Sequence, residues 1–159
     1  MTPEARQTLV EHYAKGPERV AASLKGFPPG GLTARPIPGK WSAAEIIHHL
    51  SDSETISATR IRRIIAEAYP VLPDYDQDEY ALALRYNERN PKPALENFRA
   101  VRAATTQLLR TLTEEEWVRQ GWHTEAGLFS AERWLRIYAI HAHDHAEQID
   151  RLRVALGGK

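Results

Sequence analysis

Two histidines near the C-terminus, His141 and His145, stand one helical turn apart. An α-helix turns by about 100° per residue, so these two side chains point in the same direction. The residues on this face are mostly apolar, among them Trp134, Ile137 and Leu152. Such a stripe is typical of a helix that packs on a core, and it predicts two inward imidazoles.

A third inward histidine is predicted on an earlier helix. His49 shares its face with apolar residues, whereas the adjacent His48 lies nearer to polar ones. His143 lies about 200° from His141 on the last helix, among charged residues, and we expect it to face solvent.

Three inward imidazoles indicate a metal site. An unpaired buried polar group costs a few kcal/mol (about 1–3), and one cation satisfies three nitrogens at once. Two histidines at i and i+4 and a third from a facing helix leave a coordination position open, as catalytic metal sites do. The chain has no cysteine, so any metal must be held by His, Asp or Glu. The alternative is three core histidines bonded to carbonyls or carboxylates.

Two familiar helical metal motifs do not fit this sequence. The His141–His145 segment has Ala142 where the HExxH motif has its glutamate. Glu45 and His48 match the Glu-x-x-His of di-iron bundles, but the second copy and the two further glutamates of that architecture are not evident. We therefore predict a single metal ion.

Capping residues, prolines and glycines mark out the helices that carry these histidines. The first begins at Thr2-Pro3, with a pause predicted at residues 15–17, and the second begins at a Ser42/Glu45 capping box and runs to about residue 68. A short helix is predicted within 74–90, a third long helix over 93–112, a further capping box at Thr113 and Glu116, and a last helix from Ser130 to Gly157. Strand signals are scarce.

These elements predict an all-α fold, an antiparallel four-helix bundle with extra short helices, in one domain over residues 1–159. The 21 basic and 21 acidic residues cancel, which argues against nucleic acid or a membrane as partner. The sequence has no apolar run typical of a membrane span or secretory signal, and we expect a cytoplasmic protein.

The motifs of this chain resemble those of the DinB/YfiT-like superfamily of metal-binding four-helix bundles. The resemblance rests on residues 38–42 (PGKWS), residues 47–54 (IHHLSDSE), the loop 123–127 and the pattern His141-x-x-x-His145-x-x-Gln148. It implies a metal held by His49, His141 and His145. Asp144 departs from the pattern, since relatives often have another histidine there.

The resemblance also implies that the bundle forms a homodimer and that its partner is a small-molecule substrate. Some members transfer a low-molecular-weight thiol such as bacillithiol to electrophilic compounds, and others are designated metal-dependent hydrolases. We expect thiol transfer; the alternatives are hydrolysis through water activated at the metal and a non-catalytic binding bundle. Zinc suits three imidazoles, and nickel, manganese or iron can share them.

Five further residues are candidates for the chemistry. Asp52, Glu54 and Asp144 could accept a proton, although Asp52 could instead bond a ligand histidine and Asp144 could face solvent. Arg60 could steer an anionic cofactor, although a basic run on a helix is more often a solvated face. His123 could line the mouth of the site together with the nearby tryptophans, which are more often core residues.

Overall fold

Four long helices form the body of the molecule. The structure is a computed structural model that describes residues 1–158. The helices and strands follow one another in this order: α1 (Pro3–Leu24), α2 (Ala43–Ala66), β1 (Val71–Leu72), α3 (Gln77–Ala83), α4 (Pro91–Leu109), α5 (Glu114–Trp117), β2 (Gln120–His123), β3 (Gly127–Ser130) and α6 (Ala131–Ala155), with single 3-10 turns at Gly31–Thr33 and Tyr86–Glu88. The predicted four-helix bundle with extra short helices is confirmed. None of these helices is long and apolar enough to cross a membrane.

The directions of the helices refine the predicted antiparallel arrangement. α1 and α6 run parallel, since Arg6 bonds Glu132 and Arg19 bonds Asp150. α2 and α4 are also parallel, and the two pairs pack antiparallel to each other. Because α2 and α4 run in the same direction, the chain between them must return along the bundle, and residues 67–90 do so past the middle of α2.

The expected caps are present, but the predicted pause in the first helix is wrong. Ser42 and Glu45 form a capping box at α2, and Thr113 and Glu116 form another at α5. α1 continues through Pro17 without a break. A Cβ on Gly16 would lie 2.3 Å from an Nη atom of Arg102, so this glycine permits the close approach of a buried guanidinium from α4.

A three-stranded sheet covers the end of the bundle where α2 and α4 finish, although strand signals are scarce in the sequence. β1 pairs parallel with β2, and β2 pairs antiparallel with β3. The strands have two to four residues, too short to show alternation. Leu72 of β1 and Phe129 of β3 are buried in the hydrophobic core. Tertiary packing therefore stabilises strands that local propensity does not predict.

Candidate metal centre

Three imidazoles from two antiparallel helices meet inside the bundle. His49 comes from the second turn of α2, and His141 and His145 come from successive turns of α6. Nε2 of His141 lies 3.2 Å from Nε2 of His49 and 3.2 Å from Nε2 of His145. One ring nitrogen of each histidine lies within 4.8 Å of those of the other two. The predicted constellation is therefore brought together by the fold.

Burial keeps these rings neutral. Loss of solvation, and then the neighbouring His145, lower the pKa of His49 to about 3. Burial also lowers the pKa of His141 well below its usual range, helped by the other two rings and by Arg102. The pKa of His145 is lowered by burial too, partly offset by its bond to Gln148. Neutral imidazoles carry the lone pairs that a metal needs.

The hydrogen bonds of the cluster leave ring-nitrogen lone pairs that a cation could bind. Nδ1 of His145 lies 3.0 Å from Oε1 of Gln148, so Nδ1 donates its proton and Nε2 keeps a lone pair. Nε2 of His141 faces the Nε2 atoms of both His49 and His145, and it can carry at most one proton. At least one of these two nitrogen–nitrogen contacts therefore lacks a hydrogen bond. A divalent cation would accept all three lone pairs, so these residues fit a metal ion.

A cavity of about 520 Å³ opens beside the cluster. His145 and Gln148 line it from α6, and Trp41 lines it from the loop before α2. The Trp41 ring also packs on His49, with ring centroids 5.0 Å apart. A small molecule in this cavity would thus contact His145, one of the three histidines of the cluster.

The comparison with protein families agrees with this architecture. Residues 12–149, most of the chain, match the DinB superfamily. The chain belongs to the DinB superfamily.

Two of its DinB relatives carry the name "putative metal-dependent hydrolase". YfiT of Bacillus subtilis is 28% identical over 120 residues, which are 75% of this chain and 67% of YfiT. The protein from Oceanobacillus iheyensis is 32% identical over 114 residues, 72% of this chain and 66% of that protein. The matched region spans about two thirds of each relative. The solved YfiT structure, described as a four-helix bundle of unusual topology, has a TM-score of 0.92 at 22% identity, covering 100% of this chain and 91% of that one.

Of the three candidate proton acceptors in this DinB chain, none stands free beside the histidines. Glu54 is buried in an ion pair with Arg102, with Oε2 2.6 Å from Nη2. The Tyr13 hydroxyl also bonds Glu54, and the Arg102 guanidinium lies over the Tyr13 ring. Asp52 accepts a hydrogen bond of 2.6 Å from Tyr86, and Asp144 is exposed. Within residues 1–158, the cluster of possible ligands at this site comprises histidines only.

Arg60 is buried, so the prediction that it lies on a solvated face is wrong. Its guanidinium donates to the carbonyl of Pro73 and, over 3.3 Å, to the hydroxyl of Tyr138. Tyr138 stands one turn before His141, with ring centroids 5.8 Å apart. Arg60 thus fastens the segment after β1 to the helix that carries two of the cluster histidines.

His123 is also buried, at the end of β2. Its Nδ1 accepts hydrogen bonds from the backbone N–H groups of Glu125 and Ala126, and its Nε2 lies 3.8 Å from Asp74. Burial, and then the nearby Arg60, lower its pKa. These contacts give His123 a role in shaping the turn between β2 and β3.

Two histidines outside the cluster are less exposed than the sequence predicts. His48 is buried and stacks on Tyr86, with ring centroids 5.5 Å apart, because the return segment covers this side of α2. His143 is half-buried: it stacks on His12 of α1 at 3.7 Å, and its Nε2 contacts the His12 carbonyl. The helical-wheel argument correctly separates both from the cluster, but it does not anticipate the elements that cover them.

Sequence reasoning included Gln148 in the metal-binding pattern but gave it no role, and it missed Arg102 as the partner of Glu54. Gln148 follows His145 at i+3, a spacing that predicts contact on a helix. Arg102 lies among the buried residues Phe98, Thr105 and Leu109 of α4. A charged residue in an inward stripe is the available signal for a buried ion pair.

Proposed function

We propose that this chain is a metal-dependent enzyme that transfers a low-molecular-weight thiol to an electrophilic small molecule. His49, His141 and His145 would hold the metal. The observation that carries the proposal is the convergence of three neutral ring nitrogens beside a cavity that admits small molecules. The designation of its relatives as metal-dependent hydrolases supports the dependence on a metal.

Held by the neutral imidazoles of His49, His141 and His145, a divalent cation would keep its full charge and would lower the pKa of a thiol or a water bound beside it. Zinc suits this donor set, and nickel, manganese and iron can use it as well. The protein groups do the rest: Gln148 fixes the tautomer of His145, and Trp41 packs against His49 and limits its motion.

Thiol transfer requires little proton transfer by protein side chains. The thiol loses its proton to solvent through the open cavity, the thiolate attacks the electrophilic carbon, and the leaving group departs with the bonding electron pair. Hydrolysis usually also employs a positioned general base, which contributes roughly 10²- to 10⁴-fold. Glu54 and Asp52 are engaged with Arg102 and Tyr86, and this favours the thiol reaction over the hydrolytic one.

Hydrolysis of an ester or amide is the second candidate, favoured by the designation of the relatives. One experiment separates the two. Purified protein loaded with zinc or nickel is assayed with bacillithiol, glutathione or cysteine and a fluorogenic electrophile, and separately with 4-nitrophenyl acetate without thiol. We expect a metal-dependent rate above background in the first assay, absent in His141→Ala and retained in His143→Ala.

Turnover of the ester without thiol, with no thiol transfer, would establish the hydrolase instead. Bound metal without either activity would contradict both enzymatic functions and leave a binding bundle.

A further inference from the structure

The cavity beside the three-histidine cluster is lined by both apolar and charged side chains. Ile37, Ile46, Leu152 and the indole of Trp41 supply the apolar part of the lining. The polar part includes two cations, Lys40 and Arg151. Such a cavity suits a molecule with an apolar body and a charged end.

The polar groups contributed by α6 form a row that leads away from the cluster. His145, Gln148 and Arg151 follow one another at intervals of three residues and all line the cavity. At 1.5 Å rise per residue, the backbone of Arg151 lies about 9 Å along the helix from that of His145. A ligand whose reactive end lies at the histidines would therefore place its other end near the guanidinium.

Positive charge exceeds negative charge among the residues that line the cavity. Arg151 has one carboxylate neighbour on its own helix, Glu147 at 4.0 Å, and both side chains are more than half exposed. Lys40 is exposed, in the PGKW segment, where Gly39 adopts a positive φ of 71°. The lining includes one acidic residue, Asp78 on α3. Among the lining residues, two cations against one carboxylate favour an anion. Glu147 lies outside the lining, and its exposed contact of 4.0 Å with Arg151 is weak.

We propose that the electrophilic substrate of this enzyme is a small hydrophobic carboxylic acid. Its apolar body lies against Trp41 and Leu152, and its carboxylate binds Arg151 and Lys40. This inference rests on the proposed function, because it assigns one of the two reactants of that reaction. It also gives a role to Lys40 of the PGKWS motif, which the three-histidine cluster alone does not explain.

Binding to the metal-free protein tests the inference without turnover. The probes are 4-phenylbutyrate and its uncharged analogue 4-phenylbutan-1-ol, followed by NMR at the Trp41 indole N–H. We expect the acid to bind more tightly than the alcohol. Arg151→Ala should weaken binding of the acid about tenfold and leave the alcohol unchanged, because a charge-assisted contact is lost. Asp78→Asn should strengthen binding of the acid several-fold. Arg136→Ala, an exposed arginine of α6 away from the cavity, is the matched control and should match the unsubstituted protein.

Equal affinity for the acid and the alcohol would overturn the inference. An affinity for the acid that is the same in Arg151→Ala as in the unsubstituted protein would overturn it as well. Binding of the acid only after metal loading, and independent of Arg151, would also overturn it, since the carboxylate would then be a metal ligand. The proposed function is judged separately. Acid binding as expected without thiol transfer would contradict thiol transfer alone, whereas transfer without this charge preference would contradict the cavity assignment alone.

Discussion

Gln148 accepts a hydrogen bond from Nδ1 of His145 across less than one turn of α6, at 3.0 Å. This contact fixes which nitrogen of the ring carries the proton and turns the Nε2 lone pair toward His49 and His141. The geometry of the site therefore depends on a residue that is not itself in the histidine cluster.

Replacing Gln148 should weaken metal binding without abolishing it. Loss of an outer partner of a ligand histidine typically costs roughly 10- to 100-fold in metal affinity, and we expect that range for Gln148→Ala. Gln148→Glu keeps an acceptor and should retain most of the affinity. Competition with a chromophoric chelator measures both. Glu147→Ala, on the exposed side of the same helix, serves as the control, and equal affinities in all three variants would contradict the role of Gln148.

The three cluster histidines should be separable from their neighbours by metal content. Single alanine replacements of His49, His141 and His145 each remove one of three donors, and we expect metal well below one ion per chain in each. His143→Ala should keep one ion, because this ring stacks on His12 instead. Elemental analysis of untagged protein gives the answer. Loss of metal in His143→Ala with retention in His141→Ala would reverse the assignment.

The periodic features of the sequence predicted the structure well. Inward stripes and capping residues located the four long helices, and rotation along α6 separated His141 and His145 from His143. These features are local, because a helix repeats its directions over a few residues. The family resemblance pointed to the same three histidines.

Long-range packing determined what the sequence did not reveal. Arg60 belongs to a basic run, and only the segment after β1, folded back over α2, makes it a buried residue. β1 has two residues and pairs with β2, which lies about 50 residues later in the chain, so no local pattern predicts it. Glu54 resembles a proton acceptor in sequence, and its engagement appears only when α4 brings Arg102 against it.

The metal-free protein should lose stability as the pH falls below the ordinary pKa of histidine. The pKa of His49 is about 3 when folded and 6.5 in the unfolded chain, so between these values only the unfolded state is protonated. The unfolded state then binds more protons, and the free energy of unfolding falls by about 1.4 kcal/mol per pH unit for each such group. Urea denaturation at pH 7.5 to 5 measures the slope.

A leucine at position 49 isolates the contribution of this ring, because other buried histidines share the same trend. His49→Leu should have a shallower slope than the unsubstituted protein, by about one proton. Saturating metal should also raise the free energy of unfolding at moderately acidic pH, since the metal binds the folded state. Identical slopes with and without His49 would show that its pKa is not depressed.

The buried ion pair of Glu54 and Arg102 should matter for stability and not for metal content. Glu54→Gln leaves a guanidinium with no counter-charge in the core, where removal of one partner costs roughly 3–5 kcal/mol. Glu67→Ala breaks an exposed pair with Arg63 at the C-terminal end of α2 and should leave stability nearly unchanged. The double variant Glu54→Leu with Arg102→Met removes both charges and should recover much of the loss, as urea denaturation would show. If Glu54→Gln were as stable as the unsubstituted protein but failed to turn over substrate with metal fully bound, Glu54 would instead be part of the reaction.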